Sequence, residues 1–399
     1  MGIFMGERVW SLAVMAAFAW MLGGAAPKLS AGLCAASAAS FVYWAFLFWK
    51  TLQAAVIAPM FWGLLSRLVV SRDLTREEFF RADQAPEDVA AKREAALNRM
   101  SAAWRERWPK VRETQQYLRE YFSDLRFKAS GFESMYPIFQ KVMNDALDPI
   151  TIVERTEGCD VIDAQGERFL DVSGAYGVNC FGYTRSKVFL AEGNKLAQQL
   201  GPCLGSMGEV VADNIKMLKQ IFDKEEVSLH MSGTEAVMSA IYQARFHTQR
   251  NLVAVFQGSY HGWWDGVMQG AGNDRFASDC LILKDMCPES LELLRIRRGE
   301  IAALIVNPIS GFGWKNANTS KLGHSKVTAG LDSIEKFRSW LKQIRQVCTE
   351  CGIPLVYDET WAFHLGPRGA QAMYDVKADM LVLGKSLGGG HATGAVLGP

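Results

Sequence analysis

The first motif that could perform chemistry is a Ser-Gly-Thr turn between an apolar strand and a helix. Ser232, Gly233 and Thr234 follow the run Val227–His230, and apolar residues at helical spacing begin just after them. Free amides in the first turn of a helix favour an anion such as phosphate, and the two hydroxyls can donate to it. The same residue types also form an ordinary helix N-cap, so this motif alone leaves both interpretations open.

An aspartate and a lysine follow two later apolar runs. Asp358 follows Leu355–Tyr357, and Lys385 follows Met380–Leu383 and precedes the glycines 388–390. A carboxylate in this position can hold a heterocyclic nitrogen protonated, although a helix cap or a structural ion pair would need the same residue. A lysine beside low-dielectric walls loses its proton more easily than an exposed lysine, and it can then form a Schiff base.

Two rings complete the set of candidate residues. Tyr260 and His261 lie in a short loop after the apolar run Leu252–Phe256. Either ring could stack on a planar ligand, and aromatic packing at a loop is the simpler alternative. An anion cradle, a stacking ring, a carboxylate and a lysine together serve one cofactor, pyridoxal phosphate. The combination is therefore more specific than any of its parts.

The elements that must position these residues alternate between strands and helices. Five apolar runs of strand length cover residues 227–230, 252–256, 301–306, 354–357 and 380–383. Helical segments such as Ala236–Phe246 and Ile334–Cys348 separate them. This alternation predicts an α/β fold with a mostly parallel sheet that is covered on both faces. Ligands of such sheets bind beyond the carboxyl ends of the strands, where all the motifs above lie.

Composition argues against several classes of function. The 43 Lys and Arg residues nearly balance the 42 Asp and Glu residues, and the resulting formal charge of +1 gives no reason to expect a nucleic-acid partner. Eight cysteines in 399 residues are too few for a disulfide scaffold and predict reduced thiols. Cys348 and Cys351 form a single C-x-x-C, and without a second pair we expect helix-end thiols and no metal site.

The first 70 residues carry only five charged side chains, which predicts a transmembrane segment of two or three helices. Its charge-free stretches cover residues 9–27, 29–49 and 51–66. The first two are long enough to span a bilayer, and the third is borderline. A cleaved signal peptide and a buried helical hairpin are the alternatives. Arginines 67, 72 and 76 follow at once, so we expect an integral membrane protein whose catalytic region faces the cytoplasm.

The rest of the chain divides by charge density. Residues 71–130 contain 24 charged side chains and are predicted to form a charged helical connector, in which Pro109 breaks a helix. Trp104 and Trp108 near its end suggest that the connector finally docks on a folded domain. Residues 131–399 are the predicted catalytic domain.

In chain order, the motifs resemble those of class III, or subgroup II, aminotransferases, a family that includes glutamate-1-semialdehyde aminomutase. The matching residues are Ser232–Ala236, Tyr260–Gly262, Asp358 with Glu359, and Gly384 with Lys385 and Gly388–Gly390. The stretch Gly158–Asp171 is similar to the family's N-terminal hairpin, and Gly174–Gly177 follows where the family has a substrate-side aromatic residue. The resemblance covers residues 130–399.

The resemblance implies the fold type I of pyridoxal-phosphate-dependent transferases, with pyridoxal 5'-phosphate as the cofactor. It implies Lys385 as the Schiff-base lysine and Asp358 as the partner of the pyridine nitrogen. The other implied site residues are Ser232, Gly233 and Thr234 at the phosphate, Tyr260 and His261 at the ring, and Tyr176 facing the substrate. Small-molecule amino donors and carbonyl acceptors would be the substrates, and a homodimer would be the assembly.

Relatives of this kind continue with a small C-terminal domain, whereas this sequence stops 14 residues after Lys385. The resemblance therefore implies that the small domain is missing. Two other functions compete with an aminotransferase or aminomutase tethered to a membrane. One is an α-oxoamine synthase resembling serine palmitoyltransferase, which would condense an acyl-CoA with an amino acid. The other is a catalytically dead, membrane-anchored scaffold.

Overall fold

A computed structural model describes residues 27–54, 76–121, 142, 146, 152–202, 206–257, 259–264, 266–267, 279–308 and 331–399. The N-terminal elements are helical: α1 (Pro27–Ala54), α2 (Arg76–Phe80), a 3-10 turn (Ala82–Gln84), α3 (Glu87–Arg107) and α4 (Pro109–Tyr121). Pro109 ends one helix and begins the next, as expected of a residue that lacks an amide proton for an interior helical hydrogen bond.

A small antiparallel sheet follows the helices. Its strands are β1 (Val153–Glu157), β2 (Asp160–Asp163) and β3 (Arg168–Leu170), in that spatial order. The end of α3 docks on it: the Arg107 guanidinium lies 2.9 Å from the Glu167 carboxylate, and the Trp108 ring centroid lies 6.0 Å from that of Phe169. The expected hairpin within 158–171 is therefore present, and Trp108 is one of the aromatic residues that dock on it.

The centre of the C-terminal half is a seven-stranded sheet. Its strands are β4 (Glu226–His230), β5 (Leu252–Phe256), β6 (Cys280–Leu283), β7 (Ile301–Val306), β8 (Leu355–Asp358), β9 (Met380–Leu383) and β10 (Gly394–Gly398). Their spatial order is β4-β10-β9-β8-β7-β5-β6. Only β10 runs antiparallel to its neighbours, so the predicted mostly parallel sheet is confirmed.

Helices cover both faces of this sheet. The α-helices from residue 174 onward are α5 (Gly174–Gly177), α6 (Gly182–Leu200), α7 (Glu209–Phe222), α8 (Gly233–Thr248), α9 (Pro288–Ile296), α10 (Leu331–Cys351) and α11 (Ala370–Tyr374). Every residue of β5, β7, β8 and β9 is buried. One face packs on α8, and the other packs on α9 and α10. Burial on both faces explains why these strands are apolar without alternation.

The prediction of an integral membrane protein is contradicted by the structure. Within the described segments, none of the helices combines the length and the apolar character that a bilayer crossing requires. The stretch 29–49 does lie in a long helix, α1, but its first half contains serines, alanines and a glycine in place of large apolar residues. A stretch without charged residues spans a bilayer only if its side chains are also apolar enough to favour transfer from water into lipid. The stretch 9–26 and most of 51–66 lie outside the described residues.

The C-terminal end of α1 packs against the sheet domain. Leu47 and Ala54 are buried in the same apolar cluster as Leu291 and Leu294 of α9. The Ala54 carbonyl accepts hydrogen bonds from the Lys284 amide at 2.8 Å and from the Ser290 hydroxyl at 3.1 Å. These contacts satisfy carbonyls that a helix end leaves without intrahelical partners.

Charged groups reinforce the same junction. The Lys284 ammonium donates to the Gln53 carbonyl at 2.5 Å, and the Lys50 ammonium lies 2.8 Å from the Glu292 carboxylate. A cation beside the last carbonyls of a helix is favoured by the helix dipole. This end of α1 is therefore built into the folded domain.

We expect Leu47→Ala to lower the free energy of unfolding by about 2–4 kcal/mol, because the substitution leaves a cavity between α1 and the domain. Val42→Ala on the same helix is the matched control, since Val42 is 66% exposed, and its effect should stay within about 0.5 kcal/mol. Urea unfolding followed by circular dichroism measures both. Equal effects of the two substitutions would contradict the docking of α1.

Candidate active site

Loops from three strands meet at the carboxyl edge of the sheet. A Cβ atom added to Gly384, after β9, would lie 3.1 Å from Thr360 Cγ2, after β8, and 3.3 Å from Gly233 Cα, after β4. The three loops therefore touch, and glycine at 384 permits the approach. The strand ends that carry the Ser-Gly-Thr turn, Asp358 and Lys385 are brought together, as the sequence predicted.

The Ser-Gly-Thr turn forms the N-terminus of α8. Ser232 is the N-cap, and its hydroxyl oxygen accepts a hydrogen bond from the Glu235 amide at 3.2 Å. The Thr234 hydroxyl oxygen accepts from the Trp263 amide at 3.1 Å. Both hydroxyls keep a proton to donate, and the first amides of the helix have no intrahelical acceptor. The capping interpretation is therefore observed, and it leaves the anion-binding interpretation open.

Asp358 is a buried carboxylate with three hydrogen-bond donors. Its Oδ2 lies 2.9 Å from His261 Nδ1, and its Oδ1 accepts from the Thr360 hydroxyl at 2.5 Å and from the Thr360 amide at 3.2 Å. Burial disfavours the charged form, but the hydrogen bonds from His261 and Thr360 and the His261 charge interaction outweigh it, and the pKa of Asp358 is lowered. Asp358 is therefore held as an anion.

Lys385 opens a 3-10 turn and has a left-handed backbone, with φ of 52°. Such a conformation is uncommon for a residue with a Cβ atom, and it occurs preferentially at functional sites. The Lys385 side chain is mostly buried. Burial lowers its pKa, while the negative charge of Asp358 acts in the opposite sense. A lowered pKa increases the fraction of neutral, nucleophilic amine.

The remaining predicted residues differ in how closely they approach this site. His261 is almost fully buried and contacts Asp358, whereas Tyr260 is 43% exposed. Tyr176 belongs to α5, and the position of its side chain lies outside the described part of the molecule. Gly177 in the same helix does reach the site, because a Cβ there would lie 3.9 Å from Lys385 Cδ.

Besides Glu359 Oε1, three buried polar atoms in these loops have no hydrogen-bond partner among the described residues. They are His261 Nε2, Ser259 Oγ and Ser386 Oγ. Buried polar groups are nearly always paired with protein, water or ligand. Together with the charged Asp358 and the helix N-terminus, these atoms fit a polar, anionic ligand at this edge of the sheet.

Three further residues contribute to the site, and the sequence patterns assigned a role to none of them. Thr360 donates to Asp358, the Trp361 ring centroid lies 4.3 Å from Lys385 Nζ, and Glu359 is fully buried. The Glu359 Oε2 atom accepts from the Ala370 amide at 2.7 Å, which connects β8 to α11. All three directly follow Asp358, and their position at the end of a buried strand is the sequence signal that marks them.

A comparison with known families supports the resemblance. Residues 142–322 match the family model described as aminotransferase class-III. A glutamate-1-semialdehyde 2,1-aminomutase from Geotalea daltonii is 30% identical over 282 residues, which is 66% of this chain and 60% of that protein. The chain thus spans about 60% of the length of this curated relative.

Solved structures resemble the fold. An omega-transaminase from Sphaerobacter thermophilus is 25% identical, with a TM-score of 0.51 over 62% of this chain and 57% of that one. A β-phenylalanine aminotransferase from Variovorax paradoxus is 22% identical, with a TM-score of 0.59 over 77% of this chain and 64% of that one. The resemblance to class III aminotransferases is confirmed, and the comparisons favour neither the α-oxoamine synthase nor the scaffold.

We expect Glu359 to make stability depend on pH. Burial raises its pKa from 4.5 to about 7. Between these values the folded protein keeps a proton that the unfolded chain has released, so stability falls as pH rises through this window. The cost above pH 7 is on the order of 1–3 kcal/mol. Glu359→Gln removes this titration and should flatten the decline in urea-unfolding free energy between pH 5 and pH 8.

The surface substitution Glu192→Gln is the matched control for that experiment. Glu192 pairs with Lys195 on the exposed surface of α6, and its loss should leave the pH slope unchanged. If Glu359→Gln has the same pH slope as the unsubstituted protein, Glu359 does not hold the proton.

Proposed function

We propose that this chain is a class III aminotransferase or aminomutase that uses pyridoxal 5'-phosphate, with Lys385 as the residue that binds the cofactor covalently through a Schiff base. The observation that carries the proposal is the meeting of a mostly buried lysine and a buried, ionised aspartate at one edge of the sheet. Class III aminotransferases use this cofactor, and their family model matches residues 142–322.

The residues present fit such a cofactor. The first turn of α8 offers amides that lack intrahelical acceptors and the hydroxyls of Ser232 and Thr234, which suits a phosphate group. Asp358 keeps a free lone pair on Oδ2, which accepts only from His261, so this oxygen can accept from a protonated ring nitrogen. Tyr260, next to His261 in the same loop, would stack on the ring.

Pyridoxal phosphate, when bound, supplies an electron-withdrawing ring that stabilises negative charge on the carbon that loses a proton. Asp358 would keep the ring nitrogen protonated, because its own pKa is lowered and it remains an anion. His261 would hold the Asp358 carboxylate in place through its Nδ1 proton. Lys385, when free, would take up the proton of the amino donor and return it, since burial favours its neutral form.

The substrates on this proposal are a small amino donor and a carbonyl acceptor. An aminomutase would use one molecule for both roles, and the relative from Geotalea daltonii carries that name. We also propose a homodimer. Helix α6 has no buried residue, and large apolar side chains remain exposed along it, including Val188, Leu196 and Leu200. An exposed apolar surface of this kind suits a protein partner.

We expect Lys385→Ala to abolish the covalent adduct that borohydride traps after incubation with pyridoxal phosphate, because the variant has no amine at this position. The adduct should be found by mass spectrometry on the peptide that contains residue 385. Lys342→Ala, on the exposed side of α10, is the control and should retain the full adduct. An adduct that persists at another residue in the Lys385 variant would place the covalent attachment elsewhere.

We expect Asp358→Asn to slow exchange of the donor's α-hydrogen with deuterated solvent by at least about 100-fold, because a neutral amide cannot hold a ring nitrogen protonated. The exchange is followed by NMR at saturating cofactor, and cofactor affinity, measured separately, should change much less. Asp375→Asn is an isosteric control at a helix end outside the site. Near-normal exchange in the Asp358 variant would show that the electron sink depends on another group.

A further inference from the structure

The Trp361 indole lies next to the Lys385 amine. The indole follows Asp358, Glu359 and Thr360 at the end of β8, and its ring centroid lies 4.3 Å from Lys385 Nζ. A cation within about 6 Å of an indole face is attracted by the ring's quadrupole, and tryptophan is the strongest of the aromatic residues in this respect. None of the described carboxylates forms an ion pair with this amine.

The indole is held in that position from a second direction. A Cβ atom on Gly177 would lie 3.3 Å from both Cε3 and Cζ3 of the Trp361 ring. Gly177 has φ of 82°, a conformation that favours glycine, so the end of α5 can lie directly against the indole. The ring is therefore packed between α5 and the lysine side chain and is not a freely rotating surface group.

The anion that acts on Lys385 also accepts hydrogen bonds from other residues. Asp358 is the charged group that acts on Lys385 among the described residues, but its oxygens accept hydrogen bonds from His261 and Thr360. Burial works against the protonated amine, and the indole adds to the negative charge of Asp358 in compensating for the lost solvation. The contact stabilises the ammonium form, which cannot act as a nucleophile.

We propose that Trp361 is a positioning residue that holds Lys385 as an ammonium ion over the indole until the cofactor arrives, so that the lysine must lose a proton and leave the ring before it reacts. This inference rests on the proposed function, because it assigns Lys385 the covalent role. Trp361 acts through Lys385 and sets the pH at which the cofactor-free protein becomes reactive.

The test measures the reactivity of Lys385 in the cofactor-free full chain. Trace acetylation with acetic anhydride modifies only neutral amines, and mass spectrometry of the peptide with residue 385 gives the rate at each pH. Trp361→Leu keeps bulk but removes the ring. In this variant the pH midpoint of Lys385 acetylation should fall by about one pH unit. At a pH well below the midpoint, labelling should then be about tenfold faster than in the unsubstituted protein.

Matched variants distinguish the effect of the aromatic ring from the effect of its volume. Trp361→Phe keeps a weaker aromatic face and should give an intermediate midpoint. Trp264→Leu removes a tryptophan that lies beside Arg245 and should leave the Lys385 midpoint unchanged. Circular dichroism checks the fold, and Trp361→Met replaces the leucine variant if the latter does not fold. An unchanged midpoint in the ring-free variant, or equal shifts for Phe and Leu, would overturn the proposal.

A parallel measurement keeps this proposal distinct from the proposed function. Pyridoxal phosphate added to the unsubstituted protein should protect Lys385 from acetylation. If pyridoxal phosphate does not protect Lys385, the result counts against the proposed function. It does not affect the acetylation midpoints measured without cofactor. Failure of the Trp361 variants to shift the midpoint counts against the indole alone.

Discussion

Charge inside the protein is the constraint on which the site depends. Asp358 is buried, and an unassisted carboxylate in that position would take up a proton. Three donors prevent this, one from the loop after β5 and two from the residue that follows Glu359. Because these donors favour the ionised aspartate, loop movements that break their hydrogen bonds would favour its neutral form.

The order of strands shows how that distance is met. β7 lies between β5 and β8 in the sheet, so the loop 259–264 must cross the carboxyl end of β7 before His261 can reach Asp358. The Thr234 hydroxyl oxygen supports this crossing by accepting a hydrogen bond from the Trp263 amide, and Gly262 packs against the same threonine. The residue predicted to bind phosphate thus also positions the ring that holds the aspartate. The two halves of the site are linked through one side chain.

Sequence patterns predicted five of the seven strands of the large sheet and its mostly parallel direction, because burial on both faces leaves a clear apolar signal in strands such as β5 and β7. They did not predict β6 or the antiparallel strand β10. They did not predict Thr360 or Trp361, whose roles depend on which loops touch across the sheet. The membrane prediction failed for a different reason. Counting charges overlooked that the first half of α1 is rich in small residues and that its last turn carries contacts to Lys284 and Ser290.

Strand β10 has a consequence for how the molecule folds. It pairs with β4 on one side and with β9 on the other, with Gly394 opposite His230 and Ala395 opposite Leu383. Within the sheet, the strand before the Ser-Gly-Thr turn therefore connects to the strand before Lys385 through β10, which follows both in sequence. Contacts of such long sequence separation form slowly. During synthesis, β4 must therefore wait without its strand partner, exposed to misassociation, until residues 394–398 leave the ribosome.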